Sequence, residues 1–176
     1  SCKGVKVAVD AGGGVASIFI SDIFKALGCN VCIINGTPGV FPRAIDPIED
    51  DLLMLCKTVV HERCQVGFAF DCDGDRVVVV DAQGKTLAPD NTLLISLKAL
   101  LERNMLKDFV VSVDTTREVE DLAHKAGVKV VRSKVGEANV VADMLARGYS
   151  IGGEGSSGGV IISDFCYCRD GALASA

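Results

Sequence analysis

"FAFDCDGDRVVVVD", residues 68–81, places Asp71, Asp73 and Asp75 at alternate positions between two apolar runs. Both runs have strand character, the second being four consecutive valines, so the segment reads as strand, tight acidic loop, strand. At spacing i, i+2, i+4 in an extended or gently curved loop, the three side chains point to one side and converge. Carboxylates that close repel one another unless protons or a cation neutralise them. The stretch therefore predicts a hairpin whose tip suits a divalent metal, and the remaining elements fall into place around it.

Upstream, "VKVAVD" is a strand ending in Asp10, Ala16 to Leu27 an apolar helix stopped by Gly28, and "NVCIIN" a second strand. A helix over about residues 47–63 leads into the strand "QVGFAF" and the acidic hairpin. The same order returns from residue 108. "FVVSVD" ends in Asp114, a helix runs from Arg117 to Ala126 before Gly127, "VKVV" is a strand, and Gly136 to Arg147 is a helix. "YSIGG" and "VIISD" then flank the loop "EGSSGG". Strand-helix-strand-helix order implies parallel strands, and a short last loop makes the final strand antiparallel. The expected fold is α/β: two similar domains, each a mixed, mostly parallel four-stranded sheet with helices on its faces. In "GKTLAPDNT", Pro89 and Asp90 end one pattern and cap a helix over Thr92 to Arg103, so the expected domains are residues 1–88 and 89–176.

A chain of 176 residues, 49% of them apolar, is long enough for a substantial core. With 23 acidic against 18 basic residues, a net charge of -5, no basic cluster, two tyrosines and no tryptophan, it is a poor partner for nucleic acid. No apolar run reaches the roughly eighteen residues that span a bilayer, and "SCKGVKVAVD" lacks signal-peptide features, so no membrane partner and a cytoplasmic location are expected. Eight cysteines lie mostly in apolar strand or helix patterns, which favours reduced, buried thiols over a disulfide scaffold. "CNVC", Cys29 to Cys32, has zinc or redox spacing but falls in a strand and has no second pair to complete a site.

The loop at 154–159 occupies the place in the second repeat that the acidic loop holds in the first. It carries a carboxylate, two hydroxyls and glycines, a set that suits a polyhydroxylated ligand needing both donors and acceptors. These residues resemble a family, the alpha-D-phosphohexomutases, which include phosphoglucomutases and phosphomannomutases. "DCDGDR" (71–76) is similar to their metal loop D-G-D-x-D-R, with Cys72 where glycine is usual. "GGEGSSGG" (152–159) resembles their sugar-recognition loop, "GVFPR" (39–43) their D-G-x-F-P segment, and "KVGEANV" (134–140) their V-G motif before a helix. "RDGALAS" (169–175) resembles the start of the helix that closes the third domain.

The resemblance covers the second and third of four domains. It implies a parent enzyme that moves a phosphoryl group between the 1- and 6-positions of a hexose phosphate, through a phosphoserine in a domain these residues do not include. No nucleophile is assigned here. Asp71, Asp73 and Asp75 would hold Mg2+, for which hard carboxylate oxygens are better suited than for zinc. Arg76 would face the phosphoryl group as a fixed cation. Glu154 and Ser156 would bind sugar hydroxyls, with Ser157 the substitute if the register slips, and Glu137 stands where some members place a histidine. The implied partners are the hexose phosphate and the remaining domains of the parent chain.

Other readings compete. An EF-hand shares the opening D-x-D-x-D, but Arg76 takes its glycine position and Ala82 that of its glutamate. A haloacid-dehalogenase-type phosphatase would make Asp71 a nucleophile, and a solvated acidic hairpin would do nothing. "DAGGGVAS" (10–17) invites a dinucleotide site, yet Ser17 replaces the last glycine, and a tight strand-to-helix turn fits better. His61 and His124 lie on expected helices without a partner pattern. A non-catalytic metal or sugar-phosphate binding module is the alternative of a different class.

Overall fold

The computed structural model describes residues 2–176, which form two compact units. One comprises the residues up to Ala88 together with Gly171–Ala176, the other Pro89–Asp170.

In the first unit, β1 (Lys6–Asp10) lies at the centre of a four-stranded sheet between β2 (Asn30–Ile34) and β3 (Val66–Phe70), both parallel to it. β4 (Val77–Asp81) closes the edge antiparallel to β3, with Phe70 opposite Val77. Strand alternation sends Val7, Val9, Phe68, Phe70, Val77 and Val79 to one face. There α1 (Ala16–Ala26) lays down Ala16, Ile20 and Phe24 at helical spacing, and the rings of Phe24 and Phe68 stack 5.4 Å apart. Ala8, Ala69, Val78 and Val80 face the other way, onto Leu52 and onto Leu55 and Val59 of α2 (Leu53–His61).

The helix expected over 47–63 is two elements, a 3-10 turn at Pro47–Glu49 followed by α2. The aspartates between them compete for the backbone: Asp50 accepts from Leu52 N at 2.8 Å and Ala44 N at 3.1 Å, and Asp51 accepts from Leu53 N at 3.1 Å. Leu52 is thereby set at φ 53, left-handed and out of helical register, yet buried.

The second unit repeats the topology. β5 (Phe109–Ser112) is flanked in parallel by β6 (Val130–Ser133) and β7 (Ile151–Glu154), and β8 (Gly159–Ile162) pairs antiparallel to β7. Its helices are α3 (Asp90–Glu102), α4 (Glu118–Ala126) and α5 (Glu137–Arg147). Asp90 was expected to cap α3 but does not; its carboxylate accepts from Thr116 N at 2.8 Å, tying the β5–α4 loop to the helix start.

The last helix, α6 (Gly171–Ser175), packs with the first compact unit, although it follows the second in the chain. Gly171 N donates to Gly74 O at 3.0 Å, and Ala172 and Ala174 pack on the α1-side core. A five-residue helix with two small apolar side chains has little core of its own and settles where it buries them. Among the described residues no helix is long and apolar enough to cross a membrane. All eight cysteines are free, and Cys29 is buried.

Candidate functional site

The acidic hairpin is a shaped loop at the end of the β3–β4 pair. Asp71 is 1% exposed, Asp73 is exposed and Asp75 half-buried, and one ligand oxygen from each lies within 4.8 Å of the others. Among the described residues this is the only group of three or more His, Cys, Asp or Glu gathered so tightly. Asp71 Oδ1 accepts from the backbone N–H groups of Gly74 (3.0 Å) and Arg76 (3.2 Å), which curls the loop around it. That curl needs a left-handed residue, and Gly74 supplies it at φ 76. Cys72 does not adopt a positive φ, so its side chain costs no strain where relatives of the motif have glycine.

The loop rests on the turn before α1. Val15 N donates to Cys72 O at 2.8 Å, and a Cβ on Gly14 would lie 2.5 Å from the Cys72 backbone. Gly14 of "DAGGGVAS" thus seats the acidic loop, while a Cβ on Gly13 would meet the Val40 backbone and one on Gly12 would meet Arg43 and Phe70 O, so close packing accounts for the three glycines without a nucleotide.

Arg76 does not stand free. Its Nε reaches Asp71 Oδ2 at 2.8 Å and Asp75 Oδ1 at 3.4 Å, and its Nη1 pairs with Asp46. One guanidinium faces the three carboxylates of residues 46, 71 and 75, and Asp73 lies in the same cluster, leaving a surplus of negative charge. The surplus shows in Asp71, pushed up to about 7 by burial first and by its contact with Asp75 second, against the backbone and side-chain donors of Arg76. The Arg76 guanidinium is held above its ordinary value: burial opposes this, but the hydrogen bond to Asp71 and the nearby carboxylates win. Three carboxylates gathered within 4.8 Å, offering only oxygen as ligand atoms, fit a hard divalent cation.

A brace missed in the sequence lies behind the loop. Arg43, in the "GVFPR" segment, is nearly buried. Its Nη2 donates to Phe70 O at 2.6 Å, one residue before Asp71, and its Nη1 to Ala44 O at 2.8 Å. Its Nε lies 3.0 Å from Asp10 Oδ2 as an ion pair without hydrogen-bond alignment. Asp10 also accepts from Gly12 N at 2.9 Å and Asn35 Nδ2 at 3.0 Å.

In the second unit Glu154 is the last residue of β7, not a loop residue, and is 4% exposed. Its Oε1 accepts from Gly136 N at 2.6 Å and its Oε2 from Arg169 Nη1 at 2.9 Å. Arg169 also engages Glu137 Oε2, through Nε at 3.1 Å and its backbone N at 2.9 Å, and donates to Ser157 Oγ at 3.1 Å. Glu137, Glu154 and Ser157 therefore form one cluster around Arg169. Ser156 is exposed and points elsewhere, donating to Asp114 Oδ2 at 2.6 Å. Burial would raise the Asp114 carboxyl, but the hydroxyls of Ser112 and Ser156 outweigh it and hold it below its ordinary value. Gly155 N, in the 3-10 turn Gly155–Ser157, donates to Thr115 Oγ1 at 3.0 Å. Arg169 was not singled out from sequence; the signal for it was the requirement that a buried glutamate find a cation, with Arg169 nearby in the chain after β8.

Residues 1–84 match the family described as phosphoglucomutase/phosphomannomutase, alpha/beta/alpha domain II, and residues 88–176 match its domain III. A phosphoglucomutase/phosphomannomutase of Thermococcus kodakarensis is 36% identical over 97% of this chain and 38% of its own length. A phosphoglucosamine mutase of Caldicellulosiruptor saccharolyticus is 33% identical over 99% of this chain and 39% of its own. A crystal structure of a phosphoglucomutase/phosphomannomutase family protein from Burkholderia thailandensis superposes with a TM-score of 0.87 at 31% identity, covering 97% of this chain and 38% of that one. The chain thus spans under two-fifths of the length of these relatives. The two α/β units thus match two successive domains of one family. The chain belongs to the phosphoglucomutase/phosphomannomutase family.

Proposed function

We propose that residues 1–176 are the metal-loop and sugar-loop part of a phosphohexomutase that moves a phosphoryl group between the 1- and 6-positions of a hexose phosphate. The observation that carries this reading is the pair of equivalent hairpins, one with surplus carboxylates and one with a buried, oriented glutamate beside hydroxyls. Asp71, Asp73 and Asp75 would hold Mg2+, which when bound supplies positive charge to a transferring phosphoryl group. Asp71 keeps the loop curled through its two backbone hydrogen bonds. Arg76, held by Asp71, Asp75 and Asp46, is a fixed cation beside the cluster and needs no reorganisation to act on an anion.

Glu154, held by Gly136 N and Arg169, would stand at the base of the Gly155–Ser157 turn, where the hydroxyl oxygens of Ser156 and Ser157, whose hydrogens go to Asp114 and to Glu154 O, would accept from sugar hydroxyls. Glu137 serves by anchoring Arg169, and Arg169 joins the binding set. The phosphoryl donor, a phosphoserine, would come from a part of the parent outside these residues, so the 176-residue chain alone should not interconvert hexose phosphates. A cytoplasmic setting goes with this reading.

The test is a pair of titrations on the isolated chain. Mg2+ binding by calorimetry should weaken at least tenfold in Asp73→Asn and be unchanged in Glu154→Gln. Glucose 1-phosphate, followed by amide resonances, should perturb Gly155–Gly158 in the native chain and less in Glu154→Gln. Identical Mg2+ isotherms for native chain and Asp73→Asn would refute the metal assignment. Sugar-phosphate shifts confined to other segments would refute the sugar assignment.

A further inference from the structure

The bend after β8 brings Cys166 and Cys168 together. The Cys168 S–H donates to the Cys166 sulfur at 3.4 Å, and the Cys166 S–H donates to Cys168 O at 3.5 Å. Spacing i, i+2 puts both thiols on one side of the chain. Cys168 is exposed and Cys166 half-buried, so both are within reach of a small oxidant. The pair is fastened at each end. Cys166 N donates to Ile162 O at 3.0 Å, and the residue after Cys168 is Arg169, whose backbone N is held by Glu137 and whose guanidinium holds Glu154 and Ser157.

We propose that Cys166 and Cys168 are a reversible thiol–disulfide couple whose closure loosens Arg169 from Glu137 and Glu154. The oxidant is a low-molecular-weight disulfide such as oxidised glutathione. Cys166 loses its proton to solvent, and its thiolate attacks one glutathione sulfur. The glutathione S–S bond breaks, and the departing thiolate takes up a proton. Cys168 then loses its proton and attacks the Cys166 sulfur of the mixed disulfide, breaking that bond and releasing a second reduced glutathione. Two electrons and two protons pass from the dithiol to the glutathione disulfide.

The order of attack follows from the geometry: the Cys168 S–H is held on the Cys166 sulfur, which keeps Cys168 protonated as the second thiol to react. The Cys168 thiol is pushed up to about 11, by that hydrogen bond first and by burial second. Closing the bond draws sulfurs now 3.4 Å apart to about 2.05 Å, a movement of roughly 1.4 Å. Because Cys166 is pinned to β8, the displacement falls on residues 168–169. Weaker sugar-phosphate binding in the oxidised state rests on the sugar-loop reading above; the disulfide and its effect on Arg169 do not.

The test equilibrates the full 176-residue chain, isotope-labelled, with glutathione buffers from reduced to oxidised. Remaining thiols are alkylated and the peptides mapped by mass. The expected result is a Cys166–Cys168 cross-link that forms before any other cysteine reacts and is reversed by reductant. The amides of Gly136 and Arg169 should shift over the same range of buffer ratios, while those of Asp71–Arg76 stay fixed. Cys168→Ser should keep a glutathione adduct on Cys166 and lose both the cross-link and the shifts. The mass map of the native chain decides by itself if that variant fails to fold.

Prior oxidation of another cysteine, persistent glutathione adducts on the native chain without a cross-link, or a cross-link that leaves the Arg169 amide unmoved would overturn the proposal. A chain that cross-links and shifts as expected but binds glucose 1-phosphate in neither state supports the couple and counts against the sugar reading.

Discussion

Replacing Arg169 by methionine removes the guanidinium and keeps most of the side-chain volume. Glu154 then retains Gly136 N as donor but loses the contact at 2.9 Å, and at 4% exposure water cannot substitute. Glu137 loses the 3.1 Å contact too, but its side chain is 33% exposed and rehydrates, so most of the cost falls on Glu154. A hydrogen bond between charged groups contributes about 1.5–3 kcal/mol, and stranding a fully buried charge costs about 3–5 kcal/mol. Arg169 is itself 20% exposed, which places the expected loss near the lower range, about 2–3 kcal/mol. Glu154→Gln turns an acceptor into a donor that faces Arg169 and should cost about 1–3 kcal/mol. In the double variant neither charge is stranded, so its cost should fall short of the sum by about 1–3 kcal/mol. Because the chain has two units, the assay is amide exchange at Val110 and Val111, in the centre of the second sheet, and not a global melt. Costs that add to within about 0.3–0.5 kcal/mol would refute the claim that Arg169 and Glu154 act as one buried pair.

For Asp71, the folded-state value of about 7 lies above the ordinary 3.8, so in metal-free chain its contribution is fully present below about 3.8 and is lost as pH rises through about 7. Metal-free stability should therefore fall across that window by at most about 1.4 kcal/mol per pH unit from this group, and a urea series in which Asp71→Asn keeps the same slope would show otherwise. Gly14→Ala should push a Cβ to 2.5 Å from the Cys72 backbone and weaken Mg2+ binding about tenfold, as expected of overpacking worth about 1–3 kcal/mol; calorimetry giving the native affinity would sink the idea that this turn seats the loop. Arg43→Met should destabilise the first unit by about 3–5 kcal/mol through the buried Asp10, measured by exchange at Val9 and Phe68, and Asp10→Asn in the same chain should recover part of the loss.

The architecture was legible because its signals are local. Period-two apolar runs and helix-stopping glycines mark each repeat, and a short last connection compels an antiparallel edge. The errors arose where a side chain acted against its own segment's pattern. Residues 47–63 look continuously helical until Asp50 and Asp51 take the backbone amides that a helix would use. Asp90 looks like a cap until Thr116, distant in sequence, claims its carboxylate. The Asp71–Asp75 cluster was visible because its three members lie within five residues. Arg43 and Arg169 were not, because each is placed by carboxylates outside its own segment, Asp10 for one and Glu137 and Glu154 for the other.

The two hairpins show how one topology yields two chemistries. Both close an antiparallel pair at the same edge of a four-stranded sheet, with Phe70 opposite Val77 in one and Glu154 opposite Gly159 in the other. In the first, residue 70 is apolar and the carboxylates begin one position later, beyond the last strand pair. They crowd at the tip, and a single arginine leaves negative charge over. In the second, the carboxylate is the last paired residue, so it is buried and must be satisfied from within. Gly136 N and Arg169 do this for Glu154, and the Arg169 backbone N and Nε do it for Glu137. One guanidinium there serves two carboxylates whose bonded oxygens are satisfied within the fold, and what the turn has left to offer is hydroxyl oxygens and backbone groups. A shift of one residue in where the acid falls relative to the strand end thus separates a loop with carboxylates crowded at its tip from one whose carboxylate is buried and satisfied within the fold.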